Sequence, residues 1–568
     1  MSCDASRRQV LKLISAGGLT LFVESACAPL QSNRFRHAAH FLDTSSPIDR
    51  SLPDVAAPEY SGDSFDRPHS ILWNKAGYLA NHPLPQVSEE VPLVIVGGGI
   101  AGLATAYLLR DYNPLLIEQA PRFGGNSKGQ SWRGIDYSIG AAYFVEPEED
   151  SDIAKFLDEL GILQRVRIKQ EEDPVAISHS IHKEFWQADS LPGLDRNGKH
   201  QLELLKSYFE KIFAAEESPY PDIPIVDHST RAWIEKLDRE NFAAHLERVA
   251  GGKLAPLIET AIEHYCWSSF GGSAREISAA AGLNFYCAEF GSIAVAAGGN
   301  SFVAERILEQ LQNNLPHANF RTSSLVYDVR STRDGVNLTY VDALGKDHTI
   351  SANTAVLACP KFIAAKILDG IEPERLAAIQ RLRYRSYLVA NVCLETSSKD
   401  PFYDLYLLGD GRVDSSDVTA ASNRRGVTDV VMANYAAINP RHTVLTLYRG
   451  LPYDGARLEL FDPSSYAKVR TKFEEQIHGE ILPLLKLSSK EVVDLRVARW
   501  GHPLPLAAPG ILAEGVYQQL RKPVDEKIFF VEQDNWALPA FETALTEAIL
   551  WAPRIRESLE ASGVWIRT

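Results

Sequence analysis

The segment 91–125 constrains the fold more than any other part of this chain. Its apolar run at 93–96 is typical of a buried strand, and the run ends at a turn with three spaced glycines, Gly97, Gly99 and Gly102. Glycines at these positions allow a sharp turn, close approach of the backbone to a pyrophosphate, and tight packing of a helix on a strand. We therefore predict a strand, a phosphate-binding turn and a helix over 100–110.

The residues after the glycine turn predict a dinucleotide as the ligand. Ile100 and Ala101 begin the predicted helix, so their backbone N–H groups and the positive end of the helix dipole face the pyrophosphate. A second strand is predicted at 115–117, and Glu118 ends it about 20 residues after the turn, where a carboxylate accepts hydrogen bonds from ribose hydroxyls. This order of elements is not typical of a chance glycine-rich turn, although it does not separate NAD from FAD.

Two further motifs follow the second strand. Residues 118–125 read E-Q-A-P-R-F-G-G, and residues 134–143 read G-I-D-Y-S-I-G-A-A-Y. The first resembles the E-x-x-x-R-x-G-G signature of the flavin-containing amine oxidoreductase superfamily, which includes monoamine and polyamine oxidases, protoporphyrinogen oxidase and phytoene desaturases. The second resembles that family's next flavin contact, and the chain departs from the pattern at Asn126, where many members carry Arg. The resemblance implies FAD as the cofactor, with contacts from Arg122, Gly124, Gly125, Gly140, Ala141, Ala142 and Tyr143.

Later segments resemble the remaining cofactor contacts of this family. Val326 stands where the family's backbone meets the adenine, and a plain hairpin core is the alternative there. Glu532 and Asp534 follow the last predicted strand, where the family has Gly-Asp or Gly-Glu. Thr543 and Ala544 open the last predicted helix, where the family has E-G-A next to the flavin pyrimidine ring. Glu532 and Thr543 each replace a glycine, so the register of these contacts stays open.

The resemblance and the predicted elements indicate an α/β (α+β) fold. A FAD-binding Rossmann-like domain is expected to be interleaved with a helical and antiparallel-sheet substrate domain. A chain of 568 residues is longer than one hydrophobic core usually serves. The predicted organisation is an export signal at 1–28, a linker and extended arm at 29–90, FAD-binding parts at 91–145, 291–375 and 506–568, and substrate or cap parts at 146–290 and 376–505.

The first residues resemble a bacterial twin-arginine export signal. Arg7 and Arg8 precede a mildly apolar stretch at 13–23 that is too short to span a bilayer. A frayed terminus with a chance arginine pair is the alternative, and cleavage near Cys27 and lipidation of Cys27 both stay open. The expected partner is the twin-arginine export machinery, which carries folded proteins, and the expected location is the periplasm or cell envelope.

Charge and cysteine content bear on other classes of function. The formal net charge is −15, which argues against nucleic acid as a partner. The six cysteines include no C-x-x-C pair, and we predict no metal site. The acidic run 146–152, E-P-E-E-D-S-D, follows the second flavin motif and would attract a polyamine, with a solvated loop as the alternative.

The resemblance implies an FAD-dependent oxidoreductase that removes hydride from a C–H bond of a small-molecule substrate, and an amine is the predicted class. Amine oxidases of the family often carry a Lys on one substrate-domain strand, and the matching residues 387–394 contain none. Oxygen and a quinone therefore both stand as electron acceptors. No catalytic residue is assigned, and His502 is interpreted as a polar loop residue. The alternatives are a desaturase or oxidase of an apolar substrate, and a flavin-binding envelope protein without turnover.

Overall fold

The structure of the protein is a computed structural model that describes residues 59–564, apart from 188, 190, 398–401, 414–425, 438–439 and 463. The export signal predicted at 1–28 and the first part of the predicted linker lie outside the described residues. Within the described part of the chain, no helix combines the length and the apolar composition that crossing a bilayer requires.

The described chain contains both helices and strands throughout its length. The α-helices are α1 (Asp66–Leu72), α2 (Lys75–Asn81), α3 (Ile100–Leu108), α4 (Asp152–Glu159), α5 (Arg196–Phe213), α6 (Arg231–Leu237), α7 (Phe242–Val249), α8 (Pro256–Phe270), α9 (Ala279–Ala288), α10 (Ser301–Asn314), α11 (Lys361–Ile367), α12 (Pro373–Gln380), α13 (Ala456–Phe461), α14 (Ser465–Gln476), α15 (Leu482–Leu484), α16 (Val516–Arg521) and α17 (Phe541–Ala561). The strands are β1 (Ser61–Gly62), β2 (Val87–Val96), β3 (Leu115–Ile117), β4 (Gly129–Trp132), β5 (Ile135–Ser138), β6 (Phe144–Val145), β7 (Arg167–Lys169), β8 (Val175–Ile177), β9 (Ser180–His182), β10 (Ile293–Val295), β11 (Phe320–Arg321), β12 (Leu325–Ser331), β13 (Val336–Val341), β14 (Asp347–Leu357), β15 (Tyr384–Leu394), β16 (Tyr406–Leu407), β17 (Asp429–Met432), β18 (Thr443–Leu451), β19 (Val492–Pro505) and β20 (Ile528–Phe530).

One sheet carries the predicted dinucleotide-binding unit, and we call it the cofactor sheet. Its parallel strands have the order β11-β3-β2-β14-β20, and β13 and β12 continue it in antiparallel fashion from β14. Val94 of β2 lies opposite Leu115 on one side and Ala355 on the other. Helices α10 and α17 each pack against α3, and the three helices bury one face of this sheet. The carboxyl end of β2 is thereby fixed at the sheet edge, where ligands of open α/β sheets bind.

A second sheet, the substrate sheet, has eight strands in the order β1-β19-β15-β18-β17-β16-β8-β9. The long strand β15 pairs in antiparallel fashion with β18 on one side and β19 on the other. Helices α14 and α15 pack on this sheet through Phe473 and Leu482, which are buried in its core. The predicted antiparallel substrate domain is therefore present.

Helices α5 to α9 form a cap with a core of its own. Leu205 and Phe209 of α5 meet Phe242 of α7 and Ile258 of α8 in that core, and all four are fully buried. Helix α8 also packs along β18 of the substrate sheet. Because α8 touches both cores, the cap and the substrate sheet form one wall of the molecule.

Two predicted domain boundaries differ from the packing. The sequence places residues from 146 onward in the cap, but Phe156 and Leu157 of α4 belong to the core of the cofactor sheet, next to α3 and α17. The sequence also assigns residues from 506 onward to the FAD-binding domain, whereas Leu506 and Leu520 lie in the cap core. Both segments pack through an apolar face. The sequence pattern predicts that such a face is buried, but it does not predict in which hydrophobic core.

The later part of the predicted linker and arm, residues 59–82, contains two helices and is not extended throughout. Strand β1 adds to the edge of the substrate sheet, parallel to β19. From α1, the guanidinium of Arg67 donates hydrogen bonds to Ser323 O at 2.8 Å and to Val341 O at 2.9 Å, both in the cofactor domain. The arm is therefore attached to both sheets.

Candidate functional site

A cavity of about 940 Å³ lies between the two sheets and the cap. One end, which we call the cofactor chamber, is lined by residues from 96–101, 117–128, 140–143, 324–326, 358–363, 500–504 and 532–544. The other end, the substrate chamber, is lined by residues from 220–227, 265–289, 387–389, 404–406, 429–431 and by Tyr448. The two chambers are parts of one continuous cavity.

The glycine turn shapes the floor of the cofactor chamber. Gly97 has a φ of 110°, and its N–H donates to Ile117 O at 2.9 Å. A Cβ at Gly102 would lie 2.0 Å from Gly97 O, so only glycine permits this approach of α3 to the turn. A Cβ at Gly99 would meet only Gly125 Cα, at 3.7 Å. Gly99 is also the N-cap of α3 without a side-chain cap, so the free N–H groups of the first helical turn face the chamber.

Glu118 is fixed under the same turn. Its Oε2 accepts a hydrogen bond from Gly98 N at 2.7 Å, and its Oε1 accepts one from Ala120 N at 2.8 Å. Both carboxylate oxygens keep further lone pairs for a ligand, because each oxygen accepts more than one hydrogen bond. Arg122 does not line the cavity, and its guanidinium lies 3.5 Å from Gly129 O.

The loop 140–143 joins the two chambers, and side chains of the substrate domain hold it. A Cβ at Gly140 would lie 2.0 Å from Asn126 O, so this position requires glycine. Tyr448 Oη donates to Gly140 O at 2.7 Å, and Trp500 Nε1 donates to Ile139 O at 2.6 Å. The backbone of the second flavin motif is therefore rigid where the two chambers meet.

The start of α17 presents unused hydrogen-bonding groups to the cofactor chamber. Its N-cap, Ala540, has no side chain that could cap the helix. Thr543 Oγ1 is fully buried and has no hydrogen-bond partner among the described residues. Glu542 accepts a hydrogen bond from Val145 N at 2.7 Å, which fixes the helix start against β6. A polar ligand at this position would satisfy Thr543 and the free helical N–H groups, as the implied FAD would.

The segment 532–534 holds a buried polar cluster that sequence reasoning found only in part. Lys361 Nζ bonds to Glu532 Oε1, and Glu532 Oε2 accepts from Asp534 N at 2.6 Å. Asp534 accepts hydrogen bonds from Lys361 N at 2.9 Å and from Tyr384 Oη. Burial raises the pKa of Glu532 to about 8, against the opposing effect of Lys361. Sequence reasoning missed Lys361, although its place just after β14 and Cys359-Pro360 is a signal that could have found it.

The structure brings most of the predicted cofactor residues to one cavity wall. Val326 is among them, at a register shift in the pairing of β12 with β13. Gly102 and Arg122 do not reach the wall and support it from behind. The predicted residues that line the cavity are Gly97, Gly99, Ile100, Ala101, Glu118, Gly124, Gly125, Gly140, Ala141, Ala142, Tyr143, Val326, Glu532, Asp534, Thr543 and Ala544.

Three carboxylates line the substrate chamber: Asp404 and Asp429 are buried, and Glu289 is half-buried. None of them forms a salt bridge with a described basic residue, and the nearby Lys169 is paired with Asp173 at 2.6 Å. Burial raises the pKa of Glu289 to about 7 and that of Asp429 to about 7. Burial also raises the pKa of Asp404, and the charges of Asp429 and Asp173 raise it further. Such a chamber is suited to a cation, which would supply the missing opposite charge.

Tyrosines surround these carboxylates. Glu289 Oε1 accepts from Tyr265 Oη at 3.1 Å and from Tyr143 Oη at 3.4 Å. The rings of Tyr387 and Tyr448 meet edge to face, with centroids 5.8 Å apart and an interplanar angle of 64°, and Tyr448 lies opposite Asp429 in the pairing of β18 with β17. Aromatic faces attract cations as well as apolar groups, so the chamber suits an organic ammonium better than a metal ion.

Sequence reasoning missed this chamber, and only the first part of the acidic run that it proposed reaches the cavity. Glu289, Asp404 and Asp429 come from separate elements, and no local motif marks them. Of the acidic run, Glu146 and Glu148 line the cavity, whereas the remaining acids of 149–152 are exposed and do not. His502 lines the cofactor chamber, where burial lowers its pKa to about 3. It is neutral at physiological pH and packs against Phe362, with ring centroids 4.4 Å apart.

Comparison with known proteins adds a family to this geometry. The family model described as flavin containing amine oxidoreductase matches residues 100–532. Oxidoreductase PigB from Serratia sp. is 21% identical over 527 residues, which cover 83% of this chain and 76% of that protein. An L-amino-acid oxidase from Demansia vestigiata is 22% identical over 354 residues, covering 59% of this chain and 65% of its own.

Solved structures share the fold. Putrescine oxidase with bound putrescine has a TM-score of 0.56 at 18% identity, and covers 82% of this chain and 99% of its own. Cyclohexylamine oxidase from Brevibacterium oxydans has a TM-score of 0.57 at 17% identity. The match covers 83% of this chain and 99% of that protein. The predicted fold class, a FAD-binding domain interleaved with a substrate domain, is confirmed by these likenesses and by the two sheets.

Proposed function

The chain belongs to the flavin-containing amine oxidoreductase family, and from this premise we propose that it oxidises an amine at the carbon next to nitrogen. As a member of the family it is an FAD-dependent oxidoreductase. When bound, FAD supplies the redox chemistry by accepting a hydride from the substrate carbon. The residues that would hold it are the glycine turn with Glu118, the loop 140–143, and the start of α17 with Thr543.

The observation that carries the amine assignment is the set of three carboxylates in the substrate chamber that form no salt bridge with a described basic residue. Taking carboxylates out of water is costly unless an opposite charge or hydrogen bonds compensate. Lys169 already forms a salt bridge with Asp173. Within the described chain, no basic residue therefore forms a salt bridge with Glu289, Asp404 or Asp429. An ammonium group in the chamber would supply that charge. An apolar substrate would leave the three carboxylates with their hydrogen bonds but without an opposite charge, so the desaturase alternative is less well supported.

The same carboxylates can accept the proton that an ammonium must lose before its carbon releases hydride. Glu289 and Asp429 have pKa values of about 7, raised by burial, which is close to the value that suits a general base at neutral pH. Tyr143 and Tyr265 hydrogen-bond Glu289 and hold it in place. Loss of the proton leaves a lone pair on nitrogen, which forms the C=N bond as hydride departs. The product of this step is an iminium, which water hydrolyses without the help of a residue of this chain.

Further acidic residues line the cavity and could bind a second positive group of the substrate. Glu146 and Glu148 line the cavity, and so do Asp222 and Asp227 of the cap. This arrangement supports a diamine or polyamine over a simple monoamine. The residues of β15 that line the chamber are Tyr387 and Val389, and no lysine accompanies them, which supports a quinone over oxygen as the electron acceptor.

Anaerobic mixing with amines tests the proposed function. Putrescine, spermidine, cyclohexylamine and benzylamine should each be mixed with the FAD-loaded protein while flavin absorbance is followed. We expect bleaching by at least one amine and none by an uncharged alcohol of the same skeleton. If no amine reduces the flavin while dithionite does, the amine assignment is wrong and an apolar substrate takes its place.

The rate of flavin reduction should depend on pH through the buried carboxyl groups. Because burial raises the pKa of Glu289 and Asp429 to about 7, both are largely protonated below that pH and ionised above it. An alkylammonium keeps its charge up to about pH 10. The second-order rate constant for reduction should therefore rise by about tenfold per pH unit below 7 and level off above it. A profile without change between about pH 5 and 8 would contradict this role.

We also propose that the chain is exported in its folded, FAD-loaded form. Arg7 and Arg8 with the apolar stretch at 13–23 support this, and they lie outside the described residues. Replacing both arginines by lysine should leave the FAD-loaded protein in the cytoplasm, measured by fractionation and flavin fluorescence. Lys12→Arg keeps the arginine pair and serves as the control. Normal delivery of the double variant to the envelope would refute the twin-arginine proposal.

A further inference from the structure

The charge on the cavity wall is strongly one-sided. Twelve Asp and Glu residues line it in the described part of the chain, and Lys128 is the one Lys or Arg among the lining residues there. The pyrophosphate of FAD is a dianion, and phosphates in proteins are commonly held by Lys or Arg together with helix N-termini. Because Lys128 is the one Lys or Arg on the described cavity wall, we expect the pyrophosphate to bind next to it.

Lys128 stands next to the glycine turn. A Cβ built at Gly124 would lie 3.0 Å from Lys128 Cγ, so the lysine side chain runs along the paired glycines. Gly124 N in turn donates to Gly98 O at 2.7 Å, which ties this loop to the turn before α3. The ammonium of Lys128 forms no hydrogen bond or salt bridge with any described residue. Burial lowers the pKa of Lys128, and the charges of Glu118 and Asp63 counteract that effect.

The other polar side chains around the paired glycines do not supply a charge to the chamber. Asn126 is neutral and its Nδ2 donates to Pro503 O at 3.3 Å. Arg122 points to Gly129 O and does not line the cavity. Lys128 is therefore the cation that this loop offers to an anionic ligand.

The N-terminal arm completes this part of the chamber. Asp63 N donates to Arg499 O at 2.9 Å, and the Asp63 carboxylate accepts from Gly501 N, so Asp63 is fixed at the edge of the substrate sheet. Further along, Lys75 Nζ pairs with Asp328 at 2.9 Å on the cofactor sheet. The arm thus crosses from one sheet to the other. Its residues that line the cavity are Gly62, Asp63, Ser64, Phe65, Pro68, His69, Leu72 and Trp73.

We propose that Lys128 binds the pyrophosphate of FAD, and that the arm, residues 61–75, closes the adenosine half of the cofactor chamber over it. Leu72 of the arm packs in the same core as Val326 and Ile367, which also line that half. Asp63 keeps the ammonium of Lys128 oriented without neutralising it by a direct salt bridge. The proposal concerns cofactor retention and is independent of which substrate is oxidised.

Lys128→Met tests the first half of this proposal, with Lys128→Arg as the conservative variant and Lys155→Met as the matched control on an exposed helix. The FAD dissociation constant, measured by flavin fluorescence, should rise by roughly 10- to 100-fold for Lys128→Met, since a hydrogen bond to a charged group is lost. The FAD dissociation constant of Lys128→Met should also depend less on salt concentration than that of the wild-type protein. Lys128→Arg and Lys155→Met should stay close to wild type.

The melting temperature of the apoprotein separates this role from a structural one. Lys128→Met removes a buried, unpaired ammonium, so the apoprotein should melt no lower than wild type while its FAD affinity falls. Unchanged FAD affinity in Lys128→Met, or equal losses of FAD affinity and apoprotein stability, would overturn the assignment.

Loosening the arm tests the second half. The double variant Arg67→Ala/Lys75→Ala removes the contacts that attach the arm to the cofactor sheet. Its FAD dissociation rate, followed with an apoflavoprotein trap, should rise by roughly tenfold or more over that of the control Arg110→Ala/Lys155→Ala. FAD should also slow tryptic cleavage within the arm of the wild-type protein. Equal dissociation rates in the two double variants would refute the closing role of the arm.

Discussion

The variant Gly99→Val should fold and purify without FAD. A Cβ at Gly99 meets only Gly125 Cα at 3.7 Å, so the added side chain finds room in the protein but projects into the cofactor chamber. Overpacking of this kind costs about 3 kcal/mol, which corresponds to roughly a 100-fold loss of FAD affinity. The flavin absorbance of the purified protein and titration of the apoprotein with FAD measure the effect.

The neighbouring glycine provides the control for this prediction. A Cβ at Gly102 would lie 2.0 Å from Gly97 O, so Gly102→Val should destabilise the fold itself. The melting temperature of the Gly99→Val apoprotein should instead remain near that of the wild-type apoprotein, since an exchange at a helix N-cap costs about 1 kcal/mol. A yellow Gly99→Val protein with normal FAD content would show that the glycine turn does not hold the pyrophosphate.

Neutralising the carboxylates of the substrate chamber should have the second large effect. Asp429→Asn and Glu289→Gln keep the shape of each side chain and remove the charge that an ammonium would meet. Truncating one partner of a buried charge pair costs about 2–5 kcal/mol, so the second-order rate constant for flavin reduction by the best amine should fall by roughly 30-fold or more. FAD content and the spectrum of the oxidised flavin should stay unchanged.

Matched changes outside the cavity separate charge in the chamber from overall charge. Asp150→Asn and Glu149→Gln alter the same residue types at exposed positions that do not line the cavity. In both variants, amines should reduce the flavin at rates close to those of the wild-type protein. If the chamber variants also react normally, the buried carboxylates do not bind the substrate and the amine proposal loses its main support.

The cofactor half of the site could be predicted because its chemistry is local in sequence. Gly97, Gly99 and Gly102 lie within one turn, and Glu118 follows at the end of the next strand, so one supersecondary unit fixes their geometry. The resemblance then extended the assignment to the loop 140–143 and to the start of α17. The structure places both on the same wall.

The substrate half could not be predicted because its residues meet only through long-range packing. Asp429 is brought near Asp404 by the pairing of β17 with β16, in which Asp429 lies opposite Tyr406. Glu289 arrives from the end of α9, more than a hundred residues earlier in the chain. No spacing rule connects these positions. The same reason explains why Lys361 was missed, since its partner Glu532 lies far away in sequence.

The parallel pairing of β1 with β19 has a consequence for biosynthesis. Ser61 lies opposite Ala498 in that pair, so the chain must be made to about residue 500 before β1 can pair with β19. The start of α17, which also faces the cofactor, emerges from the ribosome later still. Contacts of such long sequence separation form slowly and late in folding. We therefore expect flavin insertion to follow the synthesis of these segments, and a ribosome-bound chain that ends before residue 500 should capture no FAD.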